Sequence, residues 1–235
     1  MPNIPSILAG PLIRHVDVRQ INFWLVTDKP YQINFRLYDN ENCIDDRLLQ
    51  TEEQHVVTIG QHAYIHLISI NFENALAVQT IFHYNFILID DEHRQNLTEI
   101  LPDLLYQGQK LPSFIVPSTI ESMLHGSCRK PHFDSEDGLT QVDAAIAESI
   151  INKESRPALL MMSGDQVYAD DVAGPTLSAI HQIIEILGLH SESWQGAVVN
   201  NSEALFNSEF CYYHREKLFP HTDANKDLYD KFFAV

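Results

Sequence analysis

The 235-residue chain carries a formal net charge of −17, with 45% hydrophobic and 20% charged residues. That balance excludes wholesale disorder and suits one large or two modest domains with cores of their own. The negative field opposes free nucleic acid and anionic membrane surfaces, so an anionic substrate would need a local cation to receive it.

The first half reads as β-structure. Gln20–Thr27 is rich in β-branched and aromatic residues, and Tyr31–Tyr38 alternates apolar and polar positions across the turn signal Asp28-Lys29-Pro30. Val56–Ile59 stops at Gly60, Ala63–Phe72 alternates again, and Gln79–Asp90 is a long last run. Short strands at turn-separated intervals predict an antiparallel β-sandwich of immunoglobulin or fibronectin type over residues 1–110. Trp24, Phe35 and the Tyr64–His66 stretch belong to its core in this reading.

Pro102, Gly108, Pro112 and Pro117 mark a crossover at 101–117, after which the pattern changes. A short strand at 121–125 leads into Gly126-Ser127-Cys128. Helical spacing covers Leu139–Ile151, a buried strand is expected at 158–162, and a second helix runs from Leu177 to Leu187 with Pro175 early and Gly188 at its end. Strand–helix–strand–helix order predicts a parallel βαβ unit. Two strands make a poor sheet, and the apolar end Asp230–Val235 has no stop signal. The expectation is that residues 112–235 are the truncated first part of a larger α/β domain.

Chemistry concentrates at the two strand ends. Gly164-Asp165-Gln166-Val167-Tyr168-Ala169-Asp170-Asp171 crowds carboxylates and a phenol into one loop. Open α/β sheets bind ligands at the carboxyl ends of strands, and such a loop calls for a positive partner. Asp165 and Tyr168 offer hard oxygen donors suited to Fe3+, Mn2+, Ca2+ or another divalent metal, or else a helix cap and a packed ring. His125-Gly126-Ser127-Cys128-Arg129-Lys130-Pro131-His132 follows the neighbouring strand, so Cys128 and Asp165 could meet at one sheet edge. The bland reading is a structural Cys beside a solvated basic turn. Arg129-Lys130 is the chain's one adjacent basic pair and is placed to hold a phosphate or carboxylate. Asp170 and Asp171 read as helix caps or ligand-orienting groups; Asp134, Glu136, Asp137 and Asp143 read as solvated loop or first-turn acids. His181 reads as packed on its helix, and His83, His93, His214 and His221 lack partners at metal-site spacing.

Together, Gly126-Ser127-Cys128 and Gly164-Asp165-Gln166-Val167-Tyr168-Ala169-Asp170 resemble PhoD-type alkaline phosphatases, a branch of the calcineurin-like metallophosphoesterases. Ala9–Arg14 and Phe23-Trp24-Leu25 resemble that family's N-terminal sandwich. The resemblance implies an α/β/β/α catalytic domain with Fe3+ and Ca2+. It makes Cys128 and Tyr168 iron ligands and Asp165 the bridge to a second metal. A metal-bound hydroxide would then attack a phosphomonoester, phosphodiester or phospholipid-like substrate. Arg129 as a phosphate-holding residue follows from its position rather than from a family motif. With half a site expected, the chain alone would be weakly active or inactive.

Two other classes remain open from the residues. One is a non-catalytic binding module whose acidic loop is structural or binds calcium. The other is a cysteine phosphatase using Cys128, disfavoured because Pro131 removes a backbone donor and Arg129 follows the thiol directly. Three widely spaced cysteines, Cys43, Cys128 and Cys211, point to a reducing compartment. Met1–Pro5 has no secretory pattern, and no apolar run approaches the about 20 residues of a bilayer span. A cytoplasmic location is the expectation.

Overall fold

The computed structural model describes residues 4–91, 93–130, 133–134, 136–168 and 172–212. The fold is α+β, dominated by two antiparallel sheets, with few helices and one small parallel pair. Strands β1 (Ile7–Val16), β2 (Gln20–Thr27), β5 (Gln54–Gly60) and β6 (Ala63–Asn71) form one sheet in the order β1-β2-β6-β5. Strands β3 (Gln32–Asp39), β4 (Asn42–Leu48), β7 (Thr80–Asp90) and β8 (His93–Asn96) form the other in the order β4-β3-β7-β8. A further strand, β9 (Ser113–Val116), also pairs with β7. It lies inside the stretch expected to be crossover, so ladder hydrogen bonding continues past residue 110.

Alternation along the central strands puts one face of each sheet into a shared core. Ile21, Phe23 and Leu25 of β2 and Ile68 and Ile70 of β6 pack with Ile33, Phe35 and Leu37 of β3 and Phe82, Tyr84, Phe86 and Leu88 of β7. Phe23 bridges the sheets, its ring centroid 4.9 Å from both Tyr84 and Phe86. Each such fully buried side chain contributes about 1.5–3 kcal/mol, so the stability of the described chain resides chiefly here. Phe35 and His66 are core residues as expected, whereas Trp24, Tyr64 and Ile65, also expected in the core, are only partly buried.

Beyond β9, β10 (Met123–Gly126) pairs in parallel with β11 (Leu159–Met162), and they are joined through the helix α2 (Leu139–Ile151). A short helix α1 (Leu97–Ile100) follows β8, while α3 (Gly174–Leu187) and α4 (Ser202–Phe206) complete the described helices. The α3 helix stops at Gly188, whose φ of +56° suits a residue without a Cβ and whose N–H caps the Ile184 and Glu185 carbonyls.

The strand at 158–162 forms but is not buried: Leu160 is 42% and Met161 47% exposed. Parallel strands are ordinarily covered on both faces. Here, among the described residues, no third strand extends the pair and its apolar side chains stay open. Among the described residues, contacts joining the second part to the first include the following. Arg156 Nη2 donates to the Ser113 carbonyl at 2.8 Å, and Tyr106 Oη to Asp143 Oδ1 at 2.8 Å. Backbone bonds join the end of α3 to the β5–β6 turn: Gln61 N to Gly188 O at 3.0 Å, His62 N to Leu187 O at 2.9 Å and His190 N to Ile59 O at 3.0 Å. Among the described residues no helix is long and apolar enough to cross a membrane.

Candidate functional site

Parallel pairing in the register Gly126 with Met162 brings both loops to the same sheet edge. Ser163 N donates to Gly126 O at 3.0 Å and Cys128 N to Gly164 O at 3.0 Å, which extends the pairing past the strands. Cys128 and Asp165 then turn into the left-handed backbone region, with φ of +56° and +49°. Non-glycine residues rarely sit there, a thiol-bearing Cys less readily than Asp. The two bends aim both side chains at one point: the Cys128 thiol donates to Asp165 Oδ2 at 3.3 Å. The Ser127 hydroxyl in turn donates to Cys128 Sγ at 3.5 Å.

This pair passes a simple test as a metal edge. A first-row ion such as zinc takes a thiolate at about 2.3 Å and a carboxylate oxygen at about 2.0–2.2 Å, so ligands at about 90–110° lie about 3.1–3.7 Å apart. The 3.3 Å separation falls inside that range. Both side chains are solvent-accessible, as an exchangeable site requires. Tyr168 is half-buried, with the Lys130 ammonium 5.5 Å from its ring centroid. Among the described residues no group of three or more His, Cys, Asp and Glu side chains is placed to hold a metal ion. The donors on hand are therefore Cys128 and Asp165, with the phenol of Tyr168 next in the loop.

A cleft of about 280 Å3 opens beside the pair, lined by His125, Ser127, Cys128, Lys130, Glu136 and Val142 among others. Cys128 lines it, whereas Asp165 and Tyr168 lie outside its lining. Arg129 also lines this cleft, with its guanidinium paired to Asp137. Its Nε lies 3.0 Å from both Asp137 oxygens and its Nη2 donates to Oδ2 at 2.6 Å. The guanidinium holds the Asp137 carboxyl below the usual carboxylate range, helped by Leu139 N donating to Oδ1 at 3.0 Å. Arg129 thus ties the Cys128 loop to the start of α2.

Asp137 and Asp143, expected to be solvated, both carry contacts. The signal for Asp137 was its place just before Gly138-Leu139, where a helix begins and a carboxylate receives free N–H groups. His181 packs as expected: its ring lies 4.6 Å from that of Phe206 and Nδ1 is 3.1 Å from Tyr212 Oη. Pro131, His132, Ala169, Asp170, Asp171, His214 and His221 lie outside the described residues. A further pairing that escaped sequence reasoning is that of His125 Nε2 and Ser163 Oγ, 2.6 Å apart. Register was the available signal, since His125 pairs with Met161 and Ser163 follows two residues later on the same face.

No protein-family model matches the chain. No curated protein matches it either.

Proposed function

We propose that this chain is part of a metal-dependent phosphoesterase of the PhoD type. Residues 1–110 form an immunoglobulin- or fibronectin-like sandwich, and residues 112–235 contribute the opening of an α/β/β/α catalytic domain. What supports the reading is the meeting of Cys128 and Asp165 at the ends of two parallel strands, 3.3 Å apart and both in left-handed backbone. Strained backbone at a ligand-binding edge is a common mark of function. Cys128, Asp165 and Tyr168 would hold a ferric ion, with Asp165 facing a second ion of the calcium type. The bound metal would supply Lewis-acid polarisation of a phosphoryl oxygen and a nucleophile at neutral pH.

The chain's own residues do the rest. The Arg129–Asp137 ion pair fixes the Cys128 loop, and Arg129 also lines the cleft in which a phosphate would sit. Lys130, over Tyr168 and lining the cleft, is a second cation that would face the anionic ester. The cleft accommodates a small phosphate ester.

Metal content and visible absorption test the reading together, turnover of bis(4-nitrophenyl) phosphate by this chain alone being expected to be weak or absent. Iron-loaded protein should show a tyrosinate charge-transfer band that disappears in Tyr168→Phe. Outer-shell partners already cost about 10–100-fold when removed, so Cys128→Ala and Asp165→Ala should each lower iron affinity by at least about a hundredfold. A colourless protein that takes up no iron would refute this reading and favour a binding module with a structural acidic loop.

A further inference from the structure

An open sheet has edges whose free N–H and C=O groups can capture another strand, and stable folds block them with charge, proline, bulges or short strands. The β1 edge carries Pro11 and Arg14 and shifts register at several points. The β4 edge presents Asp45, Asp46 and Arg47, and β8 and β9 are four residues each. By contrast, β5 runs Gln-His-Val-Val-Thr from Gln54 to Thr58, without proline or fixed charge. Val56 is 40% and Val57 46% exposed, and both are strong β-formers. Among the described residues, β6 is the strand that pairs with this stretch, and its outer side is open.

The ladder fixes which backbone groups are free. Ser69 N donates to Glu53 O at 2.8 Å, and bonded pairs alternate along an antiparallel ladder, so His55 and Val57 turn their backbone groups toward β6. The N–H and C=O of Val56 and Thr58 therefore point out of the sheet. Both ends of the open stretch are closed. Gln54 N donates to Gln50 O at 3.0 Å at its start, and His190 N to Ile59 O at 3.0 Å at its finish. We propose that this stretch is a homodimer interface, filled by β5 of a second copy running antiparallel about a two-fold axis at Val56. Val56 then exchanges backbone bonds with Val56 of the second copy, and Thr58 N donates to Gln54 O across the axis in each direction. His55 faces Val57, so no like charges oppose each other along the strand. Just beyond, the exposed Glu52 of each copy comes to the exposed His190 of the other. That meeting of acid and imidazole, repeated by the two-fold, favours a second copy over an unrelated strand. No residue of the Cys128–Asp165 edge takes part.

Stable complexes bury about 1,200–2,000 Å2, more than two such short strands cover, so the dimer should be weak, with a dissociation constant of about 10–300 µM. Sedimentation equilibrium of the whole chain from about 5 to 500 µM should show monomer passing into dimer. At the upper end the Val56 and Thr58 amides should exchange at least about tenfold more slowly than in dilute solution, whereas those of His55 and Val57, already bonded to β6, should change little. Val57→Lys puts a charge on the exposed edge, and Val56→Pro removes an outward N–H that β6 does not use. Each should raise the dissociation constant by at least about tenfold. A dimer whose Val56 and Thr58 amides exchange as fast as in the monomer, or one that both variants leave intact, would overturn the proposal. A chain still monomeric at about 500 µM would overturn it too and leave this edge to a strand of another protein.

Discussion

His66 is fully buried yet keeps both ring nitrogens bonded. The Gln54 amide nitrogen donates to Tyr31 O at 2.8 Å and lies 2.9 Å from His66 Nδ1, which must therefore accept. Nε2 then carries the proton and donates to Thr27 Oγ1 at 2.7 Å, and that hydroxyl donates onward to Lys29 O. The chain of bonds is complete only for the neutral ring. Burial accordingly pushes the His66 pKa down to about 4. The sign follows: above the unfolded-state value of about 6.5 the ring is neutral in both states and this site adds no pH dependence. As pH falls from there toward 4, the unfolded chain takes up a proton that the fold refuses, and stability drops by roughly 3 kcal/mol. Asp28, raised chiefly by desolvation, acts in the opposite direction, so the two must be separated by mutation. His66→Gln keeps a neutral hydrogen-bonding side chain. Its urea-unfolding free energy should fall much less steeply between pH 6.5 and 4 than that of the wild-type protein. Parallel pH profiles would show that His66 is not the group responsible.

Among the elements, the joint between α3 and the β5–β6 turn depends on Gly60. A Cβ there would lie 2.8 Å from Leu187 O and 3.0 Å from both Gly188 O and Leu189 Cα, all backbone atoms that cannot swing aside. Gly60→Ala should separate the helix end from the sheet at a cost of about 1–3 kcal/mol. Faster amide exchange at Gln61, His62 and His190 with unchanged exchange in β3 and β7 would report it; unchanged exchange at those three amides would show that the joint tolerates a methyl group. No periodicity announces such a contact, because it is a close approach between distant backbones. The same physics explains which strands were legible. The β2, β3, β6 and β7 strands alternate because one face of each enters the core. The β4 segment, Asn42–Leu48, carries three charged residues and lies at a sheet edge, β8 is His-Arg-Gln-Asn, and β9 is four residues between prolines. Each gains its strand from a neighbour's hydrogen bonds rather than from its own pattern. At the site, the Cys128–Asp165 meeting was readable because parallel strands put their ends together. The Arg129–Asp137 pair was not, since it depends on how the loop enters α2.

Across the whole molecule, apolar burial is uneven. The shared core of the two sheets holds nearly all the fully buried side chains among the described residues, whereas beyond β9 these are Ser149, Leu177 and Cys211. Large aliphatic side chains of β10, β11 and α3 remain partly in water, including Met123, Leu160, Ile180 and Ile183. Regions with few buried contacts open at lower free energy than the global transition. Hydrogen exchange should therefore resolve two levels. Amides of β2, β3, β6 and β7 should exchange only on global unfolding, and those of β10 and β11 about a hundredfold faster or more, a gap of roughly 3 kcal/mol. The proposed metal site would give this difference a functional sense. An ion held by Cys128, Asp165 and Tyr168 would bind the closed loops and not the open ones, adding roughly 3–4 kcal/mol of protection at 100–1,000 times its dissociation constant. Iron loading should then slow exchange from Gly126 through Tyr168 while leaving β3 and β7 unchanged, and Asp165→Ala should abolish the effect. Uniform protection across both parts before loading would mean that the parallel pair is as well supported as the core. Loading that slows both parts alike would place the ion's influence outside the strand-end loops.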